Sequence, residues 1–318
     1  GWVRDCLLKT RSTSDSDIEV FRLSYNQVQV LCKDICKEVF PKFGVFKCEG
    51  MDLTLPRIEY CTGKRYNNFK TILLPHLSFY KAALRRDFTV NALAVKIENF
   101  DNIKKNITDY FNGIKDLKNK EIKAVSKKVF IDDPLRMLRA FRFASEYNFK
   151  ISKDTLSLIK KYSSKITAVA GERIKNELFR ILNNRKSSQY ISAIDDVKLL
   201  EKMFPVIATM KKSAQRFYYH PKGLFQHCFQ TYEALENILI KLDKYFPKSK
   251  DILEQHLNEH FSEYVNKKNL LKFIAVFHDC AKPECAKRMD NKMRFLGHEE
   301  LGAKKTAQIM KELKMSNK

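Results

Sequence analysis

Asp15 and Asp17 stand two residues apart beside Ser16-Asp17-Ile18-Glu19-Val20, whose alternation reads as a strand, so their carboxylates project from one face. Two carboxylates on one rigid strand can share divalent ions, which is what metal-assisted phosphoryl transfer requires. Taken alone, Ser-Asp-Ser-Asp is also the composition of a solvated loop. Upstream, Gly1-Trp2-Val3-Arg4-Asp5 adds a Gly that lets backbone approach a phosphate, and in Arg4 a fixed guanidinium fork. Arg85-Arg86-Asp87-Phe88-Thr89-Val90-Asn91 sets two cations beside a carboxylate, suited to a triphosphate and a ribose hydroxyl, or equally to a surface ion pair ahead of a helix. In Asp132-Asp133-Pro134-Leu135-Arg136, Asp133 reads as an N-cap with Pro134 at the first helical position. Arg136, Arg139 and Arg142 recur every three residues beside the apolar stripe of Leu135, Leu138 and Phe141. Guanidinium groups along a core seam require something anionic to meet them.

A second set lies far downstream: His227, His278-Asp279 and His298. Neutral imidazoles beside Asp279 make a candidate divalent-metal site, although a lone His at such a place is ordinarily a satisfied core residue. The eight Cys have no regular spacing. Cys32 and Cys36 are expected one helical turn apart, and Cys280 and Cys285 lack the second pair of a zinc site. Reduced thiols, and with them a cytoplasmic location, are the expectation.

The elements that must hold these residues read as mixed α/β over the first hundred residues, with strands at Val45-Phe46-Lys47-Cys48 and Leu53-Thr54-Leu55 and helical periodicity from Val28 to Val39. From Pro134 onward apolar residues recur at three and four, as in Ile174, Leu178 and Ile181, which predicts a helical array. A break at His220-Pro221-Lys222-Gly223 opens a last helical segment, and no internal repeat is visible. With 318 residues and only 9 Gly and 8 Pro, the chain is neither a mini-protein nor a turn-dense sandwich. The longest strongly apolar run, Phe273 to Phe277, is far short of a membrane span, and no leader is read at the start. The chain opens without Met and is expected to be a piece of a longer protein. Its 60 Lys and Arg against 37 Asp and Glu leave +23. Residues 101–190 alone hold 21 against 10, the footprint of a partner rich in phosphate, with a merely solvated Lys-rich surface as the plain alternative.

In this order, and followed by Gly171-Glu172-Arg173-Ile174-Lys175-Asn176-Glu177-Leu178, the three head segments resemble the class II tRNA nucleotidyltransferase and bacterial poly(A) polymerase family over essentially the whole chain. Asp109-Tyr110-Phe111-Asn112-Gly113-Ile114-Lys115-Asp116-Leu117 looks like that family's head-to-neck segment, and Leu55-Pro56-Arg57-Ile58-Glu59 with Thr62-Gly63 is like its CCA-adding members. The resemblance implies an α+β fold: a polymerase-β-type nucleotidyltransferase head (1–98) with a mixed sheet and helices, then an all-α neck and body (99–215) that reads the base and binds RNA. It implies that Asp15 and Asp17 bind Mg²⁺, that Asp52 is a third active-site acid, and that Gly1, Arg4, Arg139 and Arg142 contact the nucleotide. Arg86 and Asp87 would hold the ribose, and Asp133 and Arg136 would read a base edge. The implied reaction adds CMP and AMP from CTP and ATP to the 3′ end of tRNA, with no membrane partner. An A-only enzyme or poly(A) polymerase is the alternative. The usual Gly before Gly1 is absent, Asn112 replaces a common Gly, and Asp132 stands where Glu is common.

Residues 216–318 resemble an HD phosphohydrolase domain, on His227, Phe277-His278-Asp279 with Lys282, and Gly297-His298-Glu299. That implies a metal site at His227, His278, Asp279 and His298, a transition metal such as Ni²⁺ or Mn²⁺ there, and phosphodiesterase or phosphatase activity. No residue before Lys318 matches the pattern's further Asp, so this domain is expected to be truncated. A third reading, an HD phosphohydrolase whose degenerate head only binds RNA, is disfavoured by the presence of both Asp15 and Asp17.

Overall fold

The computed structural model describes residues 1–10, 16–61, 69–213 and 223–315. Asp15, Thr62, Gly63 and His220-Pro221-Lys222 lie outside the described residues. The head opens with helix α1 (Trp2–Leu8), stopped by Lys9 in the left-handed region at φ 54°. Strand β1 (Ser16–Glu19) follows, then helix α2 (Tyr25–Cys32), β2 (Cys36–Phe40), β3 (Val45–Cys48) and β4 (Met51–Thr54). The four strands form one mixed sheet in the order β1-β4-β3-β2, with β1 parallel to β4 and the other pairs antiparallel. Val28, Phe46 and Leu55 are its buried centre, with Val20, Leu23, Tyr25, Leu53 and Leu73 packed around them. The α+β class is as expected.

Two expectations need correction. The helical periodicity from Val28 to Val39 belongs to two elements: α2, fixed at its start by a Ser24–Gln27 capping box, ends at Cys32, and β2 begins at Cys36. Cys32 and Cys36 are therefore not one helical turn apart. Cys36 is the register partner of Cys48 across the β2–β3 hairpin, with Cα atoms 4.2 Å apart, and the two are joined as a disulfide rather than left as reduced thiols. Linear spacing does not show which residues a hairpin brings opposite each other.

Beyond the sheet, Thr89–Asn91 forms a short 3₁₀ turn against the helix Gly113–Lys118. A Cβ at Gly113 would lie 2.3 Å from the Thr89 carbonyl oxygen, so only Gly allows this approach. Asn112 before it takes the left-handed conformation at φ 61°. The Asp109 carboxylate accepts from the backbone N–H groups of Phe111, Gly113 and Ile114 at 3.2, 2.8 and 2.9 Å. Thr89 Oγ1 donates to the buried Asp116 carboxylate at 2.7 Å.

By packing, the chain divides into two compact units: Gly1–Arg136 with Phe149–Thr155, and Met137–Asn148 with Leu156–Lys318. Among the described residues the second unit is helical apart from one small hairpin. Within it Phe179, Phe204, Phe273 and Phe277 pack ring on ring, which places the apolar run from Phe273 to Phe277 in a helical core. Lys272, also buried, donates from Nζ to the carbonyls of Leu182 and Asn184 at 3.1 and 2.7 Å and pairs with Glu236 at 2.9 Å. Among the described residues no helix is long and apolar enough to cross a membrane.

Candidate functional site

The parallel register of β1 and β4 makes Asp17 and Asp52 direct partners, so both carboxylates stand side by side on one face of the sheet. Asp17 is exposed and Asp52 half-buried. The Asp52 Oδ1 atom is buried and has no hydrogen-bond donor among the described residues. A buried anionic oxygen without a donor is costly, and a cation is the partner that satisfies it, so this pair fits the divalent ion that the sequence reading requires. Glu19, two residues beyond Asp17 on the same face, lies 3.8 Å from the Arg86 guanidinium. Sequence reading missed Glu19, although its i+2 spacing from Asp17 was visible.

Asp87 is positioned by a chain of bonds running back to α1. Arg4 grips the Asp5 carboxylate at both oxygens, from Nε at 2.8 Å and Nη2 at 2.9 Å, and its Nη1 donates to the Asn91 side-chain oxygen. Asn91 Nδ2 donates to Asp87 Oδ1 at 2.9 Å, and the backbone N–H of Phe88 donates to the same oxygen at 2.9 Å. Arg4 is only 6% exposed, and its guanidinium holds Asn91 and through it Asp87. Gly1 is the residue before the first turn of α1 and stands at its N-cap position. Arg85 is engaged structurally, donating to the Arg57 carbonyl at 2.9 Å.

Asp133 follows the short helix Val129–Asp132 and precedes the helix Arg136–Tyr147. Its Oδ1 accepts from the Leu135 N–H at 3.2 Å, but Pro134 and Leu135 form a turn and the helix starts only at Arg136, so Asp133 caps that turn rather than a helix whose first residue is Pro134. Arg136 is held on main-chain carbonyls, donating to Arg85 at 2.7 Å and Val129 at 3.5 Å, which fixes its guanidinium beside the Arg85-Arg86-Asp87 segment. The three arginines do not share one environment. Arg142 is 4% exposed, donates to Glu177 and Glu146 at 2.6 Å each, and stacks on the Phe143 ring at 3.8 Å. Arg139, a third exposed at its side chain, lies 3.6 Å from Glu177. For Arg139 and Arg142 the chain itself supplies anions, Glu177 and Glu146. Glu177 lay within a segment already noted, but nothing local indicated that it would reach back to Arg142.

In the helical unit, the helix Leu224–Ile240 presents His227, the C-cap of the helix Lys267–Phe277 is His278, and the helix His298–Glu312 begins with His298. All three converge on the buried Asp279: His227 Nε2 and His278 Nε2 stand 3.5 and 3.3 Å from Oδ2, and His298 Nε2 stands 3.6 Å from Oδ1. Lys282 pairs with Oδ2 at 2.6 Å. Ligand atoms of His227, His278 and Asp279 all lie within 4.8 Å of one another, close enough for one ion. The hydrogen bond to Asp279 pushes His278 up to about 10. Burial works to raise Asp279, but the bonds from His278 and Lys282 hold it well below the usual carboxylate range. Lys282 is a feature whose role spacing alone did not show.

Residues 1–123 match the Poly A polymerase head domain, and residues 148–211 match the probable RNA and SrmB-binding site of polymerase A. A Multifunctional CCA protein of Hahella chejuensis is 34% identical over 173 residues, 53% of this chain and 39% of that protein. The Multifunctional CCA protein of Pseudomonas fluorescens strain SBW25 is 31% identical over 229 residues, 70% of this chain and 53% of that protein. The chain thus spans about half the length of the curated relatives it matches. Among solved structures, a tRNA-processing enzyme in an apo form superposes with a TM-score of 0.61 at 20% identity, covering 100% of this chain and 68% of that one, which establishes a shared fold.

Proposed function

From its likeness to the poly(A) polymerase head and to multifunctional CCA proteins, we propose that the chain is a template-independent RNA nucleotidyltransferase that adds CMP and AMP from CTP and ATP to the 3′ end of tRNA. The observation that carries this reading is the register pairing of Asp17 with Asp52, one oxygen of which is buried without a donor. Asp17 and Asp52, with Asp15, hold Mg²⁺, which when bound lowers the pKa of the RNA 3′ hydroxyl and offsets charge on the triphosphate. Gly1, without a Cβ, lets the backbone approach a phosphate. Arg86 meets triphosphate oxygens or the ribose from beside Glu19, while Asp87, set by Asn91 and Arg4, accepts from a ribose hydroxyl. Asp133 accepts from the exocyclic amine that cytosine and adenine share and uracil lacks, and Arg136 donates to a ring acceptor. Arg139 remains exposed enough to meet the nucleotide, whereas Arg142 positions the helix that carries both. By role the head is 1–98, the neck and body 99–215, and the hydrolytic region 216–318, in a cytoplasmic enzyme.

The test is incubation with tRNA ending at the discriminator base, supplied with CTP and ATP separately and together. Full CCA addition requires incorporation of CMP from CTP alone and of AMP only when both are present. Incorporation of AMP alone, onto tRNA already ending in CC, identifies the A-only alternative. No incorporation under any condition refutes the reading.

The convergence of three imidazoles on Asp279 supports a second activity, metal-dependent phosphohydrolysis of an HD type. His227, His278 and Asp279 would hold the ion, Ni²⁺ or Mn²⁺ being favoured by imidazole donors, with His298 beside them. That ion, when bound, supplies an activated water for attack on a phosphate ester. Asp279 orients the imidazoles, and Lys282 keeps Asp279 ionised.

A further inference from the structure

Between Asp279 and His298 the chain makes an antiparallel ribbon of two strands, Lys287–Met289 and Lys292–Arg294. Asp290 and Asn291 turn it, both at positive φ (48° and 58°), as a two-residue hairpin of this kind demands. Every residue of the two strands is exposed. The register pairs Lys287 with Arg294 and Met289 with Lys292, so these four side chains share one face and Arg288 and Met293 share the other. Like charges directly opposite across two strands are destabilising, and the Lys287–Arg294 pair has no acid on its face to offset it. Among the described residues none of the four cations of this ribbon forms an ion pair, although most charged groups nearby do.

The ribbon is also anchored at the His/Asp cluster. Arg294 leads into Phe295, whose ring lies against His298 at 6.4 Å and under the Lys282 Nζ at 5.6 Å. Lys282 itself holds Asp279. A strip of positive charge therefore runs outward from Lys282 through the Lys287–Arg294 pair to Lys292. Successive pairs on one face are about 7 Å apart, comparable with one extended nucleotide step.

We infer that the Lys287–Arg294 ribbon is a docking arm for the sugar–phosphate backbone of single-stranded RNA, laying a strand along its basic face so that one phosphodiester meets the His227–His278–Asp279 cluster. This deepens the phosphohydrolase reading and rests on it for what happens at the cluster. An anionic lipid surface has the same phosphate chemistry, but the ribbon's tip is Asp290-Asn291, which does not insert into a bilayer. The three cations on the face contact phosphates, and Met289 offers an apolar surface to a base.

The test uses the whole chain and a fluorescein-labelled oligouridylate of about 12 nucleotides, enough for one strand to pass along a single-strand site. Anisotropy is followed against KCl for the wild type, for a ribbon variant with Lys287→Ser, Lys292→Ser and Arg294→Ser, and for a charge-matched control with Lys241→Ser, Lys244→Ser and Lys248→Ser, also exposed. The ribbon variant is expected to bind about tenfold more weakly, with its log–log salt slope shallower by about 2, as removal of three contacts to a single strand requires. The control is expected to stay within about twofold, since its charges contribute only to the distant field. Equal weakening of both variants, or none in the ribbon variant, overturns the proposal. Loss of binding to phosphatidylglycerol vesicles with RNA binding intact reassigns the arm to lipid and overturns it as well. Hydrolysis of bis(p-nitrophenyl) phosphate with Mn²⁺ tests the cluster separately, because that small ester does not need the arm. The ribbon variant is expected to keep this activity and Asp279→Asn to lose it. If Asp279→Asn keeps it, the cluster reading fails while the RNA result still decides the arm.

Discussion

Asp52 holds a buried carboxylate oxygen that no donor reaches, directly beside Asp17. The two carboxylates should therefore repel until a cation arrives, and Asp52→Asn removes part of that repulsion. The variant is expected to melt no lower than the wild type without metal, to lose the rise in melting temperature that Mg²⁺ confers, and to add nucleotides on the order of a thousandfold more slowly, the loss of about 4 kcal/mol of charge stabilisation. Thermal denaturation with and without Mg²⁺, beside single-turnover addition, checks all three; an unchanged Mg²⁺ shift rules out Asp52 as a ligand. Asp133 is a different case, because it already accepts from the Leu135 N–H. Asp133→Ala is expected to cost about 1 kcal/mol as a lost cap and also to relax discrimination against UTP and GTP, measured as ratios of kcat/KM. Unchanged ratios in a folded variant leave Asp133 as a cap alone. Asp17 was legible from its i, i+2 spacing with Asp15. Its pairing with Asp52 was not, since the register of two parallel strands joined through a helix and a hairpin is a long-range property.

At the scale of elements, the helix Arg136–Tyr147 shows where local reading stops. Its apolar stripe was plain in the sequence, and Leu138 and Phe141 are fully buried. Its arginine stripe was equally plain, but nothing local showed that the chain brings acids to it. Glu177 and Glu146 close around Arg142, with Arg180 also holding Glu146 at 2.7 Å. A buried charge pair is cheap to replace as a unit and expensive to break. Glu177→Leu is therefore expected to lower stability by about 3 kcal/mol, because it strips Arg142 of its closest buried partner. The double variant Arg142→Met with Glu177→Leu is expected to lose clearly less than the sum of the two single changes. Urea denaturation of the three variants measures this coupling, and strict additivity would contradict the pairing. The disulfide between Cys36 and Cys48 makes the same point: each element was readable, but which residues faced each other was not.

For the molecule as a whole, the net charge of +23 and the basic stretch 101–190 raise the expectation of a phosphate-rich partner, and residues 148–211 match the probable RNA and SrmB-binding site of polymerase A. Charge does not say how many chemistries the chain performs. The residues themselves bear on that: Asp17, Asp52, Asp87, Asp133 and Arg136 belong to one compact unit, while His227, His278, Asp279 and His298 belong to the other. The two sets share no residue, and they differ in donor type: carboxylates suit Mg²⁺, whereas imidazoles suit a transition metal. Asp279→Asn should then abolish Mn²⁺- or Ni²⁺-supported phosphoester hydrolysis while leaving the kcat of nucleotide addition within about twofold, a change too small to reflect lost transition-state contacts. The amide keeps an acceptor for Lys282 and much of the side-chain volume, so the fold at this buried position is preserved better than with Ala. Conversely, Asp17→Ala should stop addition and leave hydrolysis unchanged. Measuring both activities on both variants decides the matter. If each substitution removes both activities from a folded protein, the sites are not independent; if Asp279→Asn removes neither, the three imidazoles around it serve only to hold their helices together.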